Sequence, residues 1–386
     1  MDDSSQLPAA LVTRRSVVLR GLAVSLVPVL GAACAVQSPT APARRLPPPD
    51  ARNERVIRVV TGLRPYRPGG FVVRRETHGT KTLVHNYGHG GCGVTLSWGT
   101  ARLALDLVAE HRRGPCAVIG CGAVGLATAR LFQDHGFEVT VYARELPPDT
   151  VSNIAGAWWS PYAVHHPATA SQAFLDQLES AARFSFRRFQ SVVGARYGVT
   201  WRDSFTLSQR PWSADAAPWS LDALMPRIAL ARDEHPFDAA YVYQQSSMLI
   251  EPHVYLRELM AELHAAGGRI VVRDFTTQAD VLALEEPLIV NCTGLGAREL
   301  FGDMTLMPVK GQLVVLVPQP EIDYVLFAPG RLYMFPRTDG VVLGGTFDPG
   351  VESLQPDPAQ TARILDGHRR LAAAIRSGGA LLARDA

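Results

Sequence analysis

Lysine is nearly absent from this chain: only Lys81 and Lys310 occur, and arginine carries the rest of the positive charge. The formal net charge is +2, and no basic stripe is interleaved with aromatics, so nucleic acid is not an expected partner. Cysteine is also scarce. The five residues Cys34, Cys92, Cys116, Cys121 and Cys292 include no CxxC pair, which argues against a zinc site and against a disulfide framework. Cys116 and Cys121 flank an apolar stretch and read as small core residues. The N-terminal apolar run from Gly21 to Leu30 has about ten residues, half of what a bilayer-spanning helix needs. Apolar residues make up 47% and charged residues 19%, which excludes a disordered chain and leaves a globular one with room for two cores.

What is present begins with an export pattern. Arg14 and Arg15 stand before the short apolar run, an arrangement that resembles a twin-arginine (Tat) signal and implies the Tat machinery as a partner. Two cleavage readings stay open. "GAAC" resembles a lipoprotein box that would leave a lipid anchor on Cys34, although Gly31 stands where an aliphatic residue is preferred. Ala33 to Ala35 instead fits an ordinary small-x-small site. The signal segment is expected over 1–35, a Pro/Ala-rich linker over 36–54, and a tail over 373–386.

"CAVIGCGAVGLATARLF" reads as a strand, a tight turn and a helix, followed by a second strand, "FEVTVYA". Gly120, Gly122 and Gly125 form G-x-G-x-x-G: one for the turn, one for backbone approach to a pyrophosphate, one for helix–strand packing. Ala123 and Val124 open the helix whose N-terminus would face the phosphates. No carboxylate ends the second strand, where Arg144 and Glu145 follow Ala143. Arg144 suits a 2′-phosphate and Glu145 a ribose, so the motif leaves FAD and NADP undecided.

A second glycine-rich turn, "HNYGHGGCGVTLSWG", precedes this motif, and "TGLRPYRP" precedes that. With "DTVSNIAGAWWSPY", "IVNCTGLGA", "PVKGQ" and "YMFPRTDGVVLGGTF", these stretches resemble the D-amino-acid oxidase family over about residues 55–372. The resemblance implies FAD and a doubly wound α/β dinucleotide domain interleaved with an α+β substrate domain that holds a mixed or antiparallel sheet. The FAD-binding parts are expected at about 82–165, 286–300 and 340–347, and the substrate parts at about 56–81, 166–285 and 301–339. In the family "TGLRPYRP" and "HNYGHGG" come last, whereas here they come first and only once, so the order resembles a circular permutation. The helix "TARLALDLVAEHRR" is expected to join the Gly120 strand through two to four residues around Gly114.

The resemblance also assigns roles. Arg64 matches the arginine that pairs with the substrate carboxylate, a task its planar fork suits, while Arg67 is expected to be structural. Tyr241 is aligned with the family's carboxylate-binding tyrosine, with Tyr243 as the alternative. Tyr162 is aligned with a pocket tyrosine, and the Gly91 carbonyl would take the substrate amine. Gly90, Gly93, Val94 and Thr95 would present backbone N–H groups to the flavin. Thr150 and Ser152 would reach phosphate or ribose, Ala155, Gly156 and Ala157 would let the flavin face sit close, and Thr293 and Gly294 would form the returning turn. Cys92 reads as a small spacer, His85 and His89 as hydrogen-bonding core residues and not a metal pair. Trp158 stands where the family often has an aliphatic residue, which would narrow the pocket towards small substrates. No lid residue is recognised.

These assignments describe an enzyme that oxidises a D-amino acid with O₂ to a 2-oxo acid, ammonia and hydrogen peroxide, by hydride transfer from Cα to flavin N5. The alternatives are a related flavin amine or glycine oxidase or dehydrogenase, and an exported FAD-binding relative without turnover.

Overall fold

The computed structural model describes residues 46–111, 113–212 and 223–376. The expected export segment, with Arg14, Arg15 and Cys34, lies outside the described residues, as does the C-terminal tail from 377 onward. No helix among the described residues is long and apolar enough to cross a membrane.

In chain order the strands are β1 (Val56–Tyr66), β2 (Val72–His78), β3 (Lys81–Tyr87), β4 (Pro115–Ile119), β5 (Glu138–Ala143), β6 (Val199–Ser208), β7 (Arg227–Leu230), β8 (Tyr241–Ile250), β9 (Arg269–Val272), β10 (Leu288–Asn291), β11 (Met307–Leu316), β12 (Tyr324–Ala328), β13 (Leu332–Arg337), β14 (Gly340–Gly344) and β15 (Asp348–Pro349). The α-helices are α1 (Gly93–Asp106), α2 (Ala123–Asp134), α3 (Val151–Ile154), α4 (Gln172–Gln190), α5 (Pro252–Ala265), α6 (Gln278–Leu282), α7 (Ala297–Leu300) and α8 (Pro358–Arg376).

Six strands form one sheet in the order β2-β3-β10-β4-β5-β9. Its strands from β3 to β9 are parallel, and β2 is an antiparallel hairpin partner of β3. The parallel strands read as continuous apolar runs, such as Cys116–Ile119 and Leu288–Val290, because both faces are covered. α1, α2, α4 and α5 contribute to the main core beside them, with Trp98, Phe132, Phe189 and Tyr255 fully buried. The second sheet runs β1-β11-β14-β13-β12-β6-β8-β7, with β15 on β11. It is mixed: β12 and β6 are parallel and the other neighbours antiparallel. α8 packs on it, burying Ile364 and Leu365 with Val314 and Leu343. The described residues belong to one compact unit.

The strands divide between the sheets differently from the expected parts. β2 and β9, placed with the substrate parts, extend the parallel sheet: β2 because it hairpins with β3, β9 because α5 returns the chain beside β5. β14, placed with the FAD-binding parts, is the central neighbour of β11 and β13 in the other sheet. α1 also ends at Asp106, earlier than expected. Leu107 to Glu110 form a turn, so the link to β4 is longer than two to four residues.

Candidate active site

The early segment is built into the dinucleotide layer. β3 pairs parallel with β10, which pairs parallel with β4. The side chain of Asn86 donates to Thr128 Oγ1 of α2 at 3.1 Å, a buried bond tying "HNYGHGG" to the Gly120 helix. Gly93 at the start of α1 faces Val124 at the start of α2: a Cβ there would lie 3.8 Å from Val124 Cγ2. Val94 and Thr95 are buried at this junction. Two helix N-termini therefore stand side by side, each with backbone donors that have no acceptor within their own helix.

The glycine turn has the shape its sequence implies. Gly120 sits at φ +111°, and a Cβ on it would lie 2.5 Å from the Cys292 carbonyl. A Cβ on Gly125 would meet Gly120 O at 2.0 Å, so only glycine allows helix and strand this close. Gly122 precedes α2, and the hydroxyl of Ser152 accepts from Ala123 N–H at 3.0 Å at the N-terminus of that helix. Thr150 is buried and donates to Asn153. Thr293 donates to Asn291 beside Gly294, which has φ +58° and lies next to Pro65. Arg144 and Glu145 pair with one another at 3.3 Å on the surface past β5. A glycine cradle at a helix N-terminus with hydroxyl side chains over it fits a flavin adenine dinucleotide.

Arg64 lies on β1 and turns over Gly311 of the neighbouring β11, where a Cβ would meet its guanidinium at 2.5 Å. It donates to Thr346 O at 3.2 Å, its charge acts on the nearby Tyr333 hydroxyl, and its guanidinium carbon is 5.8 Å from the Phe347 ring centre. No carboxylate pairs with it among the described residues. Burial raises the pKa of Tyr333 and the nearby Arg64 opposes that rise, leaving a neutral hydroxyl. Gly91 stands beside Arg64: a Cβ on it would lie 3.6 Å from Arg64 Cδ and 3.7 Å from Tyr162 O. Gly90 has φ +58° and presses on Ala163 O, which fixes this turn.

The structure corrects the tyrosine assignment. Tyr241 is 40% exposed and begins β8, six strands from β1, roughly 29 Å across the sheet. Tyr243 is on the same strand, where its hydroxyl accepts from Trp212 N–H at 2.7 Å. The tyrosine that reaches Arg64 is Tyr333. It lies within "YMFPRTDGVVLGGTF", and the signal for it is the Gly344–Gly345 pair: a Cβ on Gly344 would overlap the Tyr333 ring at 2.0 Å. Tyr162 contributes its backbone to the site, while its ring is 77% exposed.

The loop from Ala155 to Ala157 is small for a reason beyond the cofactor. Gly156 lies against the Phe335 ring, where a Cβ would sit 2.4 Å away, and Ala155 O accepts from Arg337 at 3.1 Å. Ala157 holds φ 55° and its carbonyl accepts from Ile250 N–H at 2.9 Å. Cys92 is fully buried, and its thiol donates to Tyr162 O at 2.6 Å. Burial pushes its pKa up to about 12, so it is a neutral spacer. His89 bonds Thr100 at 2.9 Å, and burial lowers it to about 3. His85 bonds Asn291 at 3.0 Å. Both are neutral hydrogen-bonding core residues. Arg67 is structural: its Nε pairs with Asp303 at 2.7 Å, and Tyr87 donates to the same carboxylate at 2.9 Å.

Residues 38–107 and 116–382 match the family described as FAD dependent oxidoreductase. The chain is 33% identical over 279 residues to a D-amino-acid oxidase of Streptomyces coelicolor, covering 68% of this chain and 78% of that protein. It is 32% identical over 258 residues to a D-amino-acid oxidase of Rubrobacter xylanophilus, covering 64% and 74%. Among solved structures, a glycine oxidase from Bacillus cereus superposes with a TM-score of 0.51 at 16% identity, covering 68% of this chain and 79% of that one, a likeness of fold.

Proposed function

Given that the chain belongs to the FAD-dependent oxidoreductase family, we propose that it oxidises a D-amino acid with O₂ and water to the 2-oxo acid, ammonia and hydrogen peroxide. The observation that carries this is the half-buried Arg64, held by Thr346 O with the Tyr333 hydroxyl nearby and without an acid partner among the described residues. A fixed guanidinium with a neutral hydroxyl beside it binds a carboxylate through charge-assisted bonds. The Gly120–Gly125 turn, Ser152 and the N-terminus of α1 would hold FAD, and the bound flavin would supply the two-electron acceptor between substrate and dioxygen. The Gly91 carbonyl would accept from the substrate amine, so carboxylate and amine are held at two points and only one enantiomer presents its α-hydrogen correctly. His89 and Cys92 remain neutral at physiological pH, so neither acts as a charged group beside the substrate. The test is the visible spectrum of yellow protein mixed anaerobically with D- and L-alanine. Bleaching by the D-enantiomer alone supports the reading; no bleaching by any D-amino acid refutes it.

We also infer a circular permutation of the family's order. Two features support it: the family match breaks between residues 107 and 116, at the α1–β4 connection, and the C-terminal helix runs back to the start of β1. Arg369 of α8 donates to Ala51 O at 3.0 Å and to Asn53 Oδ1 at 2.5 Å. Export through a Tat-type signal, with or without a lipid on Cys34, is proposed on the Arg14–Arg15 pattern.

A further inference from the structure

Three side chains of β13 share one face of the strand: Tyr333, Phe335 and Arg337, at alternate positions. Each meets a different part of the candidate site. The Tyr333 hydroxyl stands near Arg64, whose charge acts on it. Phe335 stacks on Tyr333 with ring centres 4.9 Å apart, and its ring fills the space beside Gly156, where a Cβ would lie 2.4 Å away. Arg337 donates from Nη1 to Ala155 O at 3.1 Å. One strand therefore touches both the Arg64 clamp and the small-residue loop from Ala155 to Ala157.

The Arg337 side chain is 5% exposed, and its fork is fully engaged. Nε and Nη2 bond the two oxygens of Asp339 at 2.8 Å and 2.6 Å, which leaves Nη1 for Ala155. Asp339 lies in the two-residue turn between β13 and β14, where Arg337 pairs with Gly340. That turn is itself fastened. Thr338 N–H donates to Glu251 Oε1 at 3.3 Å and the Thr338 hydroxyl to Oε2, and Glu251 is the buried N-cap residue of α5. Arg58 of β1 pairs with Asp339 as well, at 2.6 Å. A planar guanidinium bound at two points has little freedom at the third, so Ala155 is fixed against β13.

The other connections of the loop show what this bond governs. Ala157 O accepts from Ile250 N–H at 2.9 Å. Before the loop comes α3, whose Ser152 meets the start of α2 and whose Ile154 lies on β1: a Cβ on Gly62, two residues before Arg64, would be 3.3 Å from it. Arg337 is thus the polar link between the strand of Tyr333 and a loop that runs from the glycine turn. We propose that Arg337 is a positioning residue for the reaction, setting the register between that loop and the carboxylate clamp. This rests on the reading that FAD lies against Ala155–Ala157. Rates between two held groups are sensitive to such register, since about 1 Å of misplacement can cost roughly a hundredfold.

The experiment compares Arg337→Lys with the unmodified holoenzyme. Lysine keeps the charge beside Asp339, but its single ammonium lacks the planar fork that bonds Asp339 twice and Ala155 at once. In this variant kcat for D-alanine should fall by about tenfold or more. The Kd for propionate, titrated on the flavin absorption, reads the Arg64 clamp alone and should stay within about twofold. The visible circular dichroism of the bound flavin should change. Arg58→Met, which removes the other arginine on Asp339, should leave all three readings as they are. Asp339→Asn keeps Arg337 but weakens its anchor; it should show the same split to a smaller degree, and it decides the matter if Arg337→Lys does not fold. An Arg337→Lys protein with kcat within about twofold and an unaltered flavin spectrum would overturn the proposal, because neutralising Asp339 would then be the whole role. So would equal losses of kcat and propionate affinity, or an Arg58→Met variant as slow as Arg337→Lys. If the unmodified protein oxidises no D-amino acid, the oxidase reading fails, and the flavin circular dichroism and propionate titrations of the same variants still decide the role of Arg337.

Discussion

Arg64 and Tyr333 meet over a floor of glycine. Their strands, β1 and β13, are separated by β11 and β14, roughly 14 Å of backbone at ordinary strand spacing. Neither side chain spans that alone. The guanidinium lies over Gly311 of β11 and the phenol ring over Gly344 of β14, and a Cβ at either position would overlap it, at 2.5 Å and 2.0 Å. The two missing side chains are what let the pair form.

Removing each partner should therefore separate their roles. Arg64→Leu should collapse kcat/KM by about 2–4 kcal/mol of lost carboxylate binding while FAD stays bound. Tyr333→Phe removes a hydroxyl beside the proposed carboxylate position and should cost about 0.5–1.5 kcal/mol, seen mainly in KM. Tyr241→Phe should leave both constants unchanged. A Tyr241 variant more damaged than the Tyr333 one would show that the carboxylate lies near β8 instead.

Gly311→Ala tests the floor itself. The new methyl would meet the Arg64 guanidinium 2.5 Å away, and the flexible arginine would be displaced before the strand. KM should rise at least tenfold with little loss of thermal stability. Unaltered KM would mean that Arg64 binds its substrate from another position.

Much of this was legible in sequence because it is local. The β4–α2–β5 unit announces itself by an apolar run, three spaced glycines and a helical period, and the structure folds it as read. Arg64 was legible through its flanking motif. Tyr333 was not, because what makes it the partner of Arg64 is the order β1-β11-β14-β13, and strand order is written in no single segment. Tyr241 offered the same chemistry in an equally strand-like stretch. Ser152 and Arg67 show the same division: the expected phosphate contact lies within reach of the Gly122 turn, whereas the Arg67–Asp303–Tyr87 cluster joins residues far apart in the chain.

That cluster carries a pH dependence. Burial alone would raise the Asp303 pKa, but hydrogen bonds from Thr305, Arg67 and Tyr87 and the Arg67 charge outweigh it and hold the carboxyl at about 2, below its ordinary 3.8. A carboxylate with a depressed folded-state pKa stabilises the protein above the unfolded value and loses that stabilisation as pH falls from about 4 to about 2. The shift corresponds to about 2 kcal/mol. Asp303→Asn should lower stability by about that amount at pH 7, in denaturant melts, and the gap should narrow below pH 4. A gap constant between pH 7 and pH 3 would show that the ion pair is not its source.

Export is tested in cells. Arg14→Lys with Arg15→Lys should retain unprocessed chain in the cytoplasm, because a twin-arginine pathway reads the paired guanidinium groups. Labelled palmitate on Cys34 would distinguish an anchored product from a soluble one. Normal secretion of the double variant would remove the twin-arginine reading.

The order of segments can be reversed on the bench. The chain holds Arg64 and Gly91 ahead of the Gly120 turn, yet β3 pairs with β10, Asn86 with Thr128, and α1 with α2, so the two portions are one fold and not two in tandem. The described C-terminal helix is already fastened to the start of the first strand through Arg369, Ala51 and Asn53. A gene that begins at Gly114, runs to the end of α8, and continues through a short glycine–serine linker into residues 46–113 keeps every one of these pairings. It opens only the α1–β4 connection, an exposed turn at Ala109 and Glu110. Breaking such a turn while joining neighbouring ends costs little, since loop-closure entropy grows slowly with length. The rearranged protein should be soluble, yellow and within about 2 kcal/mol of the natural order in stability, with kcat/KM for D-alanine within tenfold. Failure to bind FAD, alongside a natural-order protein that does, would mean that the present order is needed to assemble the site and that the family's order cannot be recovered from this chain.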